Sequence, residues 1–348
     1  MGSSVTSNVL ITGGAGFIGS NTAAHYLARG AQVTLFDNFK RHGTESNARW
    51  LQETYATGLT IIRGDVRAPD AAFQRAVEQS DVVFHLAAQV AVTTSVTDPA
   101  TDFAINAAGT FNVLEAVRAS HSRPIVIYAS TNKVYGKMSD VGVVDRGTRY
   151  EYDGLPFGAG EDRALDFYSP YGCSKGCGDQ YVIDYARMYG LRTVSFRQSC
   201  IYGPRQFGLE DQGWVAWFAI RALQGKPVTI YGDGKQVRDV LHVSDLIAAY
   251  ELAIAHIDHT SGRAYNIGGG PAHTMSLLEL IDLLEIRFGE RLRYTHDDWR
   301  PGDQKVFIAD IRRAADEFQW APAIAPADGV GKLVEWLSVN RQLFEGMT

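Results

Sequence analysis

The chain has 348 residues, with 33 Lys and Arg against 39 Asp and Glu, so its formal net charge is −6. At roughly 150 residues per domain, this length corresponds to about two domains. The mild negative charge excludes a surface built to neutralise a nucleic-acid backbone, so we expect no nucleic-acid partner. A hydrophobic fraction of 45% excludes a disordered chain.

The distribution of apolar residues and cysteines bears on the compartment. No run approaches the ~18 unbroken apolar residues of a membrane span, and no signal-peptide pattern is present. The three cysteines, Cys173, Cys177 and Cys200, are too few for a disulfide framework and lack metal-site spacing. We therefore expect a cytoplasmic protein with no membrane partner and no metal.

The first two hundred residues alternate short apolar runs with helix-like segments. Amphipathic patterns predict helices over Phe17–Arg29 and Phe103–Ala119. Fully apolar strands separated by helices are typical of a parallel sheet that is covered on both faces. The sequence therefore predicts the α/β class, with a Rossmann-like, doubly wound parallel sheet. The predicted strands are Val9–Thr12, Gln32–Phe36, Leu59–Ile62, Asp81–Leu86, Ile125–Ala129 and Arg192–Phe196.

The regular alternation of apolar runs and helix-like segments ends after Gly203, which predicts a second structural unit. Shorter elements there mix with helices near Ser244–His256 and Met275–Phe288. We expect residues 1–203 to form mainly a dinucleotide-binding domain and residues 204–348 a smaller α+β substrate-binding lobe, with chain crossings between them. The insertion Lys137–Phe167 is rich in Asp, Gly and Tyr and is expected to be irregular.

A strand, a glycine turn and a helix start follow one another from Val9 to Gly19. Glycines in such a turn permit positive φ and close approach of a pyrophosphate, whose oxygens bind the free amides at the helix start. Asp37, at the end of the next predicted strand, can accept bonds from a ribose diol. These features favour NAD as the cofactor, although Lys40 and Arg41 nearby keep NADP open. The plain alternative is a tight turn between strand and helix.

Tyr171 and Lys175 are four residues apart, a spacing that places both on one face of a helix. A neighbouring ammonium favours phenolate and would lower the pKa of the tyrosine toward a useful range. Tyr231 and Lys235 share this spacing, but they enclose Gly232–Gly234, which predicts a turn. The context therefore favours Tyr171 and Lys175.

Further motifs occur in the order found in one family. They are Thr12–Gly19, His85–Ala88, Asn106 within Ile105–Thr110, Val134–Gly136, Tyr171–Lys175, Tyr231–Val240 and Arg300–Asp303. Through them nearly the whole chain resembles the extended short-chain dehydrogenases/reductases that act on nucleotide sugars. The resemblance implies a nucleotide-diphosphate sugar as substrate. It also implies a homo-oligomer, dimer or tetramer, assembled through helices such as Phe103–Ala119 and Gly178–Met188; internal packing of these helices is the alternative.

The resemblance also implies site residues. Thr131, Tyr171 and Lys175 would be catalytic, and Thr131, Cys200, Arg238, Arg300 and Asp303 would contact the substrate. The residues expected to bind the cofactor are Gly13, Gly16, Phe17, Ile18, Gly19, Asp37, Asn38, Asp65, Val66, Leu86, Ala87, Ala88, Asn106, Tyr171, Lys175 and Ile201. Plainer roles compete with some of these: a turn acid for Asp65, and surface ion pairs for Arg238 and Arg300.

The segment from Thr131 to Lys133 discriminates among reactions. The 4,6-dehydratases of the family carry Thr-Asp-Glu there, whereas Thr-Asn-Lys in this chain lacks both acids. Epimerisation through a transient ketone is therefore expected. Cys200 stands where the family has asparagine, which departs from the usual uridine-sugar pattern. Segments Ser130–Gly136, Leu165–Gly176, Asp211–Phe218 and Gln236–His242 resemble epimerases that invert C2 of a CDP-linked sugar.

Three alternatives to this activity stay open. A UDP-hexose 4-epimerase would share the redox machinery, a net oxidoreductase would change the cofactor stoichiometrically, and a sensor would bind NAD without catalysis. The presence of Thr131, Tyr171 and Lys175 disfavours the sensor. Trp214 and Trp217 are equally compatible with a pocket wall and with a helix core.

Overall fold

The computed structural model describes residues 7–300 and 302–345. In chain order the strands are β1 (Asn8–Thr12), β2 (Gln32–Asp37), β3 (Leu59–Arg63), β4 (Val82–His85), β5 (Ile125–Thr131), β6 (Gly142–Asp145), β7 (Tyr150–Asp153), β8 (Thr193–Gln198), β9 (Cys200–Tyr202), β10 (Val228–Tyr231), β11 (Val237–His242), β12 (Arg263–Ile267), β13 (Thr274–Ser276), β14 (Tyr294–Asp297) and β15 (Val306–Phe307).

Thirteen α-helices lie between and after these strands in the described residues. They are α1 (Phe17–Leu27), α2 (Thr44–Thr54), α3 (Ala71–Glu78), α4 (Val92–Thr97), α5 (Pro99–Phe103), α6 (Gly109–Ala119), α7 (Ser169–Tyr189), α8 (Trp214–Leu223), α9 (Val243–Ala255), α10 (Ile257–Thr260), α11 (Leu277–Phe288), α12 (Arg312–Phe318) and α13 (Pro326–Val339). None of the described helices is both long and apolar enough to cross a membrane.

Seven parallel strands form a central sheet in the order β12-β8-β5-β4-β1-β2-β3. Both faces of this sheet are buried. Alternate side chains of a strand point to opposite faces, and each set packs in its own core. Along β1, Val9 and Ile11 pack in one core with Tyr250, whereas Leu10 packs in another with Val113. The predicted doubly wound α/β fold is confirmed.

The strand order reverses beside β1, with β2 on one side and β4 on the other. Ligands of such open sheets bind outside the carboxyl ends of the strands at this reversal. Thr12 and Asp37 end β1 and β2, and Thr131 ends β5. The fold thus gathers predicted site residues at one edge of the sheet.

A second group of elements covers this edge. β11 pairs with β9, β13 and β15, while β10 pairs with β14. Helices α8, α11 and α13 supply much of the adjoining core, which includes Trp217, Leu280 and Leu333. β12 lies within the later part of the chain but joins the large sheet. The proposed domain boundary at residue 203 stays a prediction.

Two local predictions differ from the structure. The segment Lys137–Phe167 contains an antiparallel hairpin of β6 and β7 rather than irregular chain alone. The predicted helix Phe103–Ala119 is interrupted, because residues Ala104–Ala108 form a π-helical turn between α5 and α6. Such turns are rare and often occur at functional sites.

Candidate active site

A cleft of about 550 Å³ lies at the carboxyl ends of the central strands. Most residues predicted to bind the cofactor line it: Gly13, Gly16, Phe17, Ile18, Gly19, Asp37, Asn38, Asp65, Val66, Leu86, Ala87, Ala88, Tyr171 and Lys175. Asn106 and Ile201 are not among the lining residues. Asn106 is buried below the cleft, and Ile201 lies on β9, paired with Leu241.

The glycine turn after β1 leaves no room for side chains. Gly13 has a φ of +68°, and a Cβ there would lie 2.7 Å from the backbone nitrogen of Ala87. A Cβ on Gly19 would lie 2.4 Å from the carbonyl oxygen of Gly13. Gly16 begins α1 without a side-chain cap, and the first amides of an α-helix have no partner within the helix. This cradle fits the pyrophosphate of a dinucleotide.

Two carboxylates follow the neighbouring strands on one side of this turn: Asp37 ends β2, and Asp65 comes just after β3. Asp37 accepts hydrogen bonds from the amides of Ala15 (3.0 Å) and Phe39 (2.8 Å). Burial raises the pKa of Asp37 above its usual value. Asp65 instead accepts bonds from Arg67 and Asn38, and the Arg67 guanidinium holds its pKa well below the usual range. Both line the cleft, and their contacts with a cofactor stay predictions.

Tyr171 and Lys175 lie on α7, one turn apart, and both are buried. The amide of Tyr171 donates to Ser95 Oγ over 3.1 Å, which fixes the start of the helix against α4. Thr131, at the end of β5, is buried nearby and lowers the pKa of Tyr171 through its hydroxyl. By contrast, Tyr231 and Lys235 flank the predicted turn, in which Gly232 and Gly234 both have positive φ.

The pKa values of Tyr171 and Lys175 differ from those that the sequence predicted. Burial raises the pKa of Tyr171 to about 12, and Lys175 is not among the groups that lower it. Burial lowers the pKa of Lys175 to about 7. The Lys175 ammonium lies 4.2 Å from the centroid of the Tyr128 ring. The predicted lowering of the Tyr171 pKa by Lys175 is not found: burial raises that pKa, and the groups that act against burial are Thr131 and Arg41.

A polar network that sequence reasoning missed lies beneath these residues. Asn106 Nδ2 lies within hydrogen-bond distance of Asp102 Oδ1 (3.1 Å), Ser174 Oγ (3.1 Å) and the Gln89 carbonyl (3.0 Å). Asp102 is fully buried, and its Oδ2 has no hydrogen-bond partner among the described residues. Its charge raises the pKa of both Tyr171 and Lys175. In the sequence, this network was indicated only by the four-residue spacing of Asp102 and Asn106, which is typical of one helix face.

Arg41 is a second residue whose place was not predicted. It lines the cleft, and its guanidinium donates to Gln212 Oε1. Burial lowers the pKa of Arg41, and its charge lowers the pKa of Tyr171. Arg41 therefore connects the loop after β2 with the loop before α8, across the cleft.

The residues predicted to contact substrate are only partly gathered. Arg238 forms an ion pair with Asp303 at 3.7 Å, and Cys200 is close enough for the Arg238 charge to lower its pKa. Arg300 instead stacks 3.8 Å above the Tyr231 ring and donates to the Glu210 carbonyl. Pro301, part of the predicted Arg300–Asp303 motif, is outside the described ranges.

The family model described as "NAD dependent epimerase/dehydratase family" matches residues 9–268. The chain belongs to this family. It is an NAD-dependent enzyme of the epimerase class, and the cradle around Gly13 and Gly19 fits that cofactor.

Two curated relatives extend over almost the whole chain. The CDP-paratose 2-epimerase of Salmonella typhi is 46% identical over 336 residues, which cover 95% of this chain and 99% of the relative. The UDP-glucose 4-epimerase of Mycolicibacterium smegmatis is 30% identical over 333 residues, 96% of this chain and 99% of the relative.

Solved structures show the same fold. The UDP-glucose 4-epimerase of Thermus thermophilus in complex with NAD has a TM-score of 0.77 and 31% identity, covering 98% of this chain and 100% of that one. The UDP-glucuronic acid 4-epimerase of Bacillus cereus was solved with UDP-glucuronic acid and NAD. It has a TM-score of 0.80 and 28% identity, covering 95% of this chain and 99% of that one.

Proposed function

We propose that this enzyme epimerises a nucleotide sugar at C2, by oxidation of the carbinol to a ketone and re-reduction on the opposite face, with CDP-paratose and CDP-tyvelose as the substrate pair. The observation that carries the proposal is the 46% identity to a CDP-paratose 2-epimerase over 95% of the chain. The 4-epimerase relative is only 30% identical over a similar length.

The buried residues at the end of β5 and on α7 supply the acid–base chemistry. When bound, NAD supplies the group that takes a hydride from the carbinol carbon and returns it. Tyr171 holds the proton of the substrate hydroxyl and gives it back, and Thr131 orients that hydroxyl beside the phenol. Lys175, the second buried polar group on this face of α7, positions the cofactor ribose.

Elimination of water is disfavoured at this site. Asn132 and Lys133 follow Thr131, and neither can act as a carboxylic acid. The residues beside Thr131 therefore support epimerisation rather than dehydration.

Product analysis tests this proposal directly. The purified enzyme is incubated in parallel with CDP-paratose and with UDP-glucose, and NMR identifies the inverted carbon. We expect inversion at C2 of the CDP-sugar with no net NADH. Inversion at C4 of UDP-glucose would identify a UDP-hexose 4-epimerase instead, and stoichiometric NADH would identify a net oxidoreductase.

We also infer a homodimer or homotetramer in the cytoplasm. Phe111 on α6 and Tyr181 and Met188 on α7 are exposed, and the Phe111 and Tyr181 rings lie 6.1 Å apart. A second copy that presents the same two helices would cover this apolar face. Analytical ultracentrifugation tests the assembly: Tyr181→Glu should dissociate it, whereas a wild-type monomer would contradict it. The cytoplasmic location has a separate basis: Cys173, Cys177 and Cys200 are free thiols, which suits a reducing compartment.

A further inference from the structure

Lys133 stands next to the catalytic segment but has no role in the chemistry described so far. It lies in the 3₁₀ turn Asn132–Tyr135, which follows β5. Its amide donates to Thr131 Oγ1 over 3.2 Å. This bond ties the lysine backbone to the Thr131 hydroxyl, to which the proposed function assigns the orientation of the substrate.

The Lys133 ammonium is poorly neutralised by the protein. Its hydrogen-bond partner is Gln304 Oε1, at 3.5 Å, and within the described ranges no carboxylate lies at ion-pair distance from it. Gln304 is itself held by a bond from its amide nitrogen to the Gly136 carbonyl. A part-buried ammonium with one long, neutral partner is suited to an anionic ligand.

The charged and titratable groups around Lys133 are the residues predicted to bind substrate. Burial and the Arg238 charge lower the pKa of Lys133 to about 8, while Asp303 and Cys200 act in the opposite direction. Lys133 and Arg238 are therefore neighbouring cations, and the carboxylate that acts on Lys133 is that of Asp303, which pairs with Arg238 at 3.7 Å. Two neighbouring cations favour a phosphate.

We propose that the Lys133 ammonium binds the sugar-linked phosphate of the substrate, and that its position beside Thr131 selects C2 as the reacting carbon. The inference rests on the proposed function and deepens it. In a hexopyranose, C2 is bonded to C1, which carries the diphosphate, whereas C4 lies on the far side of the ring. A phosphate-binding cation only two residues from Thr131 therefore brings the C2 hydroxyl, not the C4 hydroxyl, to Thr131 and Tyr171.

Nucleotides without the sugar test the phosphate contact. The NAD-loaded wild type and Lys133→Met are titrated with CDP and with CMP by calorimetry. CDP carries the second phosphate and CMP lacks it. We expect Lys133→Met to weaken CDP binding about tenfold or more, the loss of one charge-assisted bond, and to leave CMP binding within about twofold. Equal losses for both nucleotides, or no loss for CDP, would overturn the assignment.

Two controls distinguish the effect of losing the Lys133 charge from an effect on folding. Lys137→Met makes the same change at an exposed lysine of the same segment and should leave both affinities unchanged. NAD content and thermal unfolding report whether Lys133→Met is folded, and Lys133→Gln replaces it if it is not.

Product analysis of the wild type keeps the two hypotheses distinguishable. A wild type that inverts C4 overturns the proposed function, and the C2 selection falls with it. A wild type that inverts C2 while the variant keeps full CDP affinity overturns only the role of Lys133.

Discussion

Asp102 Oδ1 accepts a hydrogen bond of 3.1 Å from Asn106 Nδ2, and the other oxygen of this buried carboxylate has no partner among the described residues. The two residues stand on either side of the start of the π-helical turn, so the irregular backbone sets their separation. Since the Asp102 charge raises the pKa of Tyr171 and of Lys175, this pair connects the helix geometry with the protonation of the site.

We predict that Asp102→Asn shifts the pH profile of the enzyme. Loss of the negative charge lowers the pKa of Tyr171, so deprotonation of the phenol becomes easier and the acidic limb of kcat/KM moves to lower pH. Asp98→Asn is the matched control, because Asp98 is an exposed helix cap that an asparagine replaces well. An unchanged profile in folded Asp102→Asn would show that this carboxylate does not act on Tyr171.

Tyr171→Phe removes the phenol hydroxyl proposed to hold the proton and little else, because the ring stays buried. We expect kcat to fall about 10²- to 10⁴-fold, the usual worth of a positioned acid–base group. NAD content and thermal stability should match the wild type. Tyr168→Phe, at a part-exposed tyrosine three residues earlier, should retain activity. Near-normal turnover of Tyr171→Phe would contradict the acid–base assignment.

Gly13→Ala should abolish NAD binding. The added Cβ meets the backbone of Ala87, which cannot move away, in addition to the strain of a positive φ. Gly30→Ala is matched for that strain, since Gly30 has a φ of +83° but nothing within 4 Å of its Cβ. Cofactor content measured after gel filtration compares the two variants. Equal loss of NAD in both would mean that strain, not crowding of the cradle, is responsible.

The buried His85 makes folding stability sensitive to acid. His85 is hydrogen-bonded to Thr12 (2.7 Å) and Thr110 (3.0 Å), and burial lowers its pKa to about 3. An unfolded histidine titrates near pH ~6.5. Between these values the unfolded chain binds a proton that the folded protein does not, so stability decreases as pH falls from about 6.5 toward 3.

Urea unfolding at about pH 7 and about pH 5 measures this dependence. His85→Gln should be less stable at the higher pH by about 1–3 kcal/mol, because two buried hydrogen bonds are disturbed. It should also lose less stability on acidification than the wild type. The exposed His121→Gln is the control, and an acid sensitivity in His85→Gln equal to that of the wild type would refute the contribution of His85.

The sheet and the cradle could be predicted because their signals are local. Buried parallel strands are continuous apolar runs, and the predicted strand Val9–Thr12 differs from β1 by one residue. The hairpin of β6 and β7 carried no such signal, since its strands are only four residues long and mostly lie outside the core. The π-helical turn was missed because its residues continue the helical pattern of α6.

The chemical environment of the site was harder to predict from the sequence than its location. The helix spacing identified Tyr171 and Lys175, but their pKa values depend on desolvation, which only the packed structure shows. Arg41 and Gln212 meet across 171 positions of sequence, and no spacing rule predicts such a contact. Arg300 was expected to contact the substrate on the evidence of a motif alone, and the structure stacks it on Tyr231.

The return of the chain to the large sheet at β12 has a practical meaning for dissection of the enzyme. β12 covers β8, so a fragment ending at residue 203 would leave β8 as a bare edge with unpaired amides and carbonyls. The same cut would remove Tyr250, Phe318 and Trp320 from the core beneath β1. Such a fragment would aggregate rather than bind NAD, and a circular permutant that keeps β12 beside β8 is the safer route to isolating the dinucleotide half.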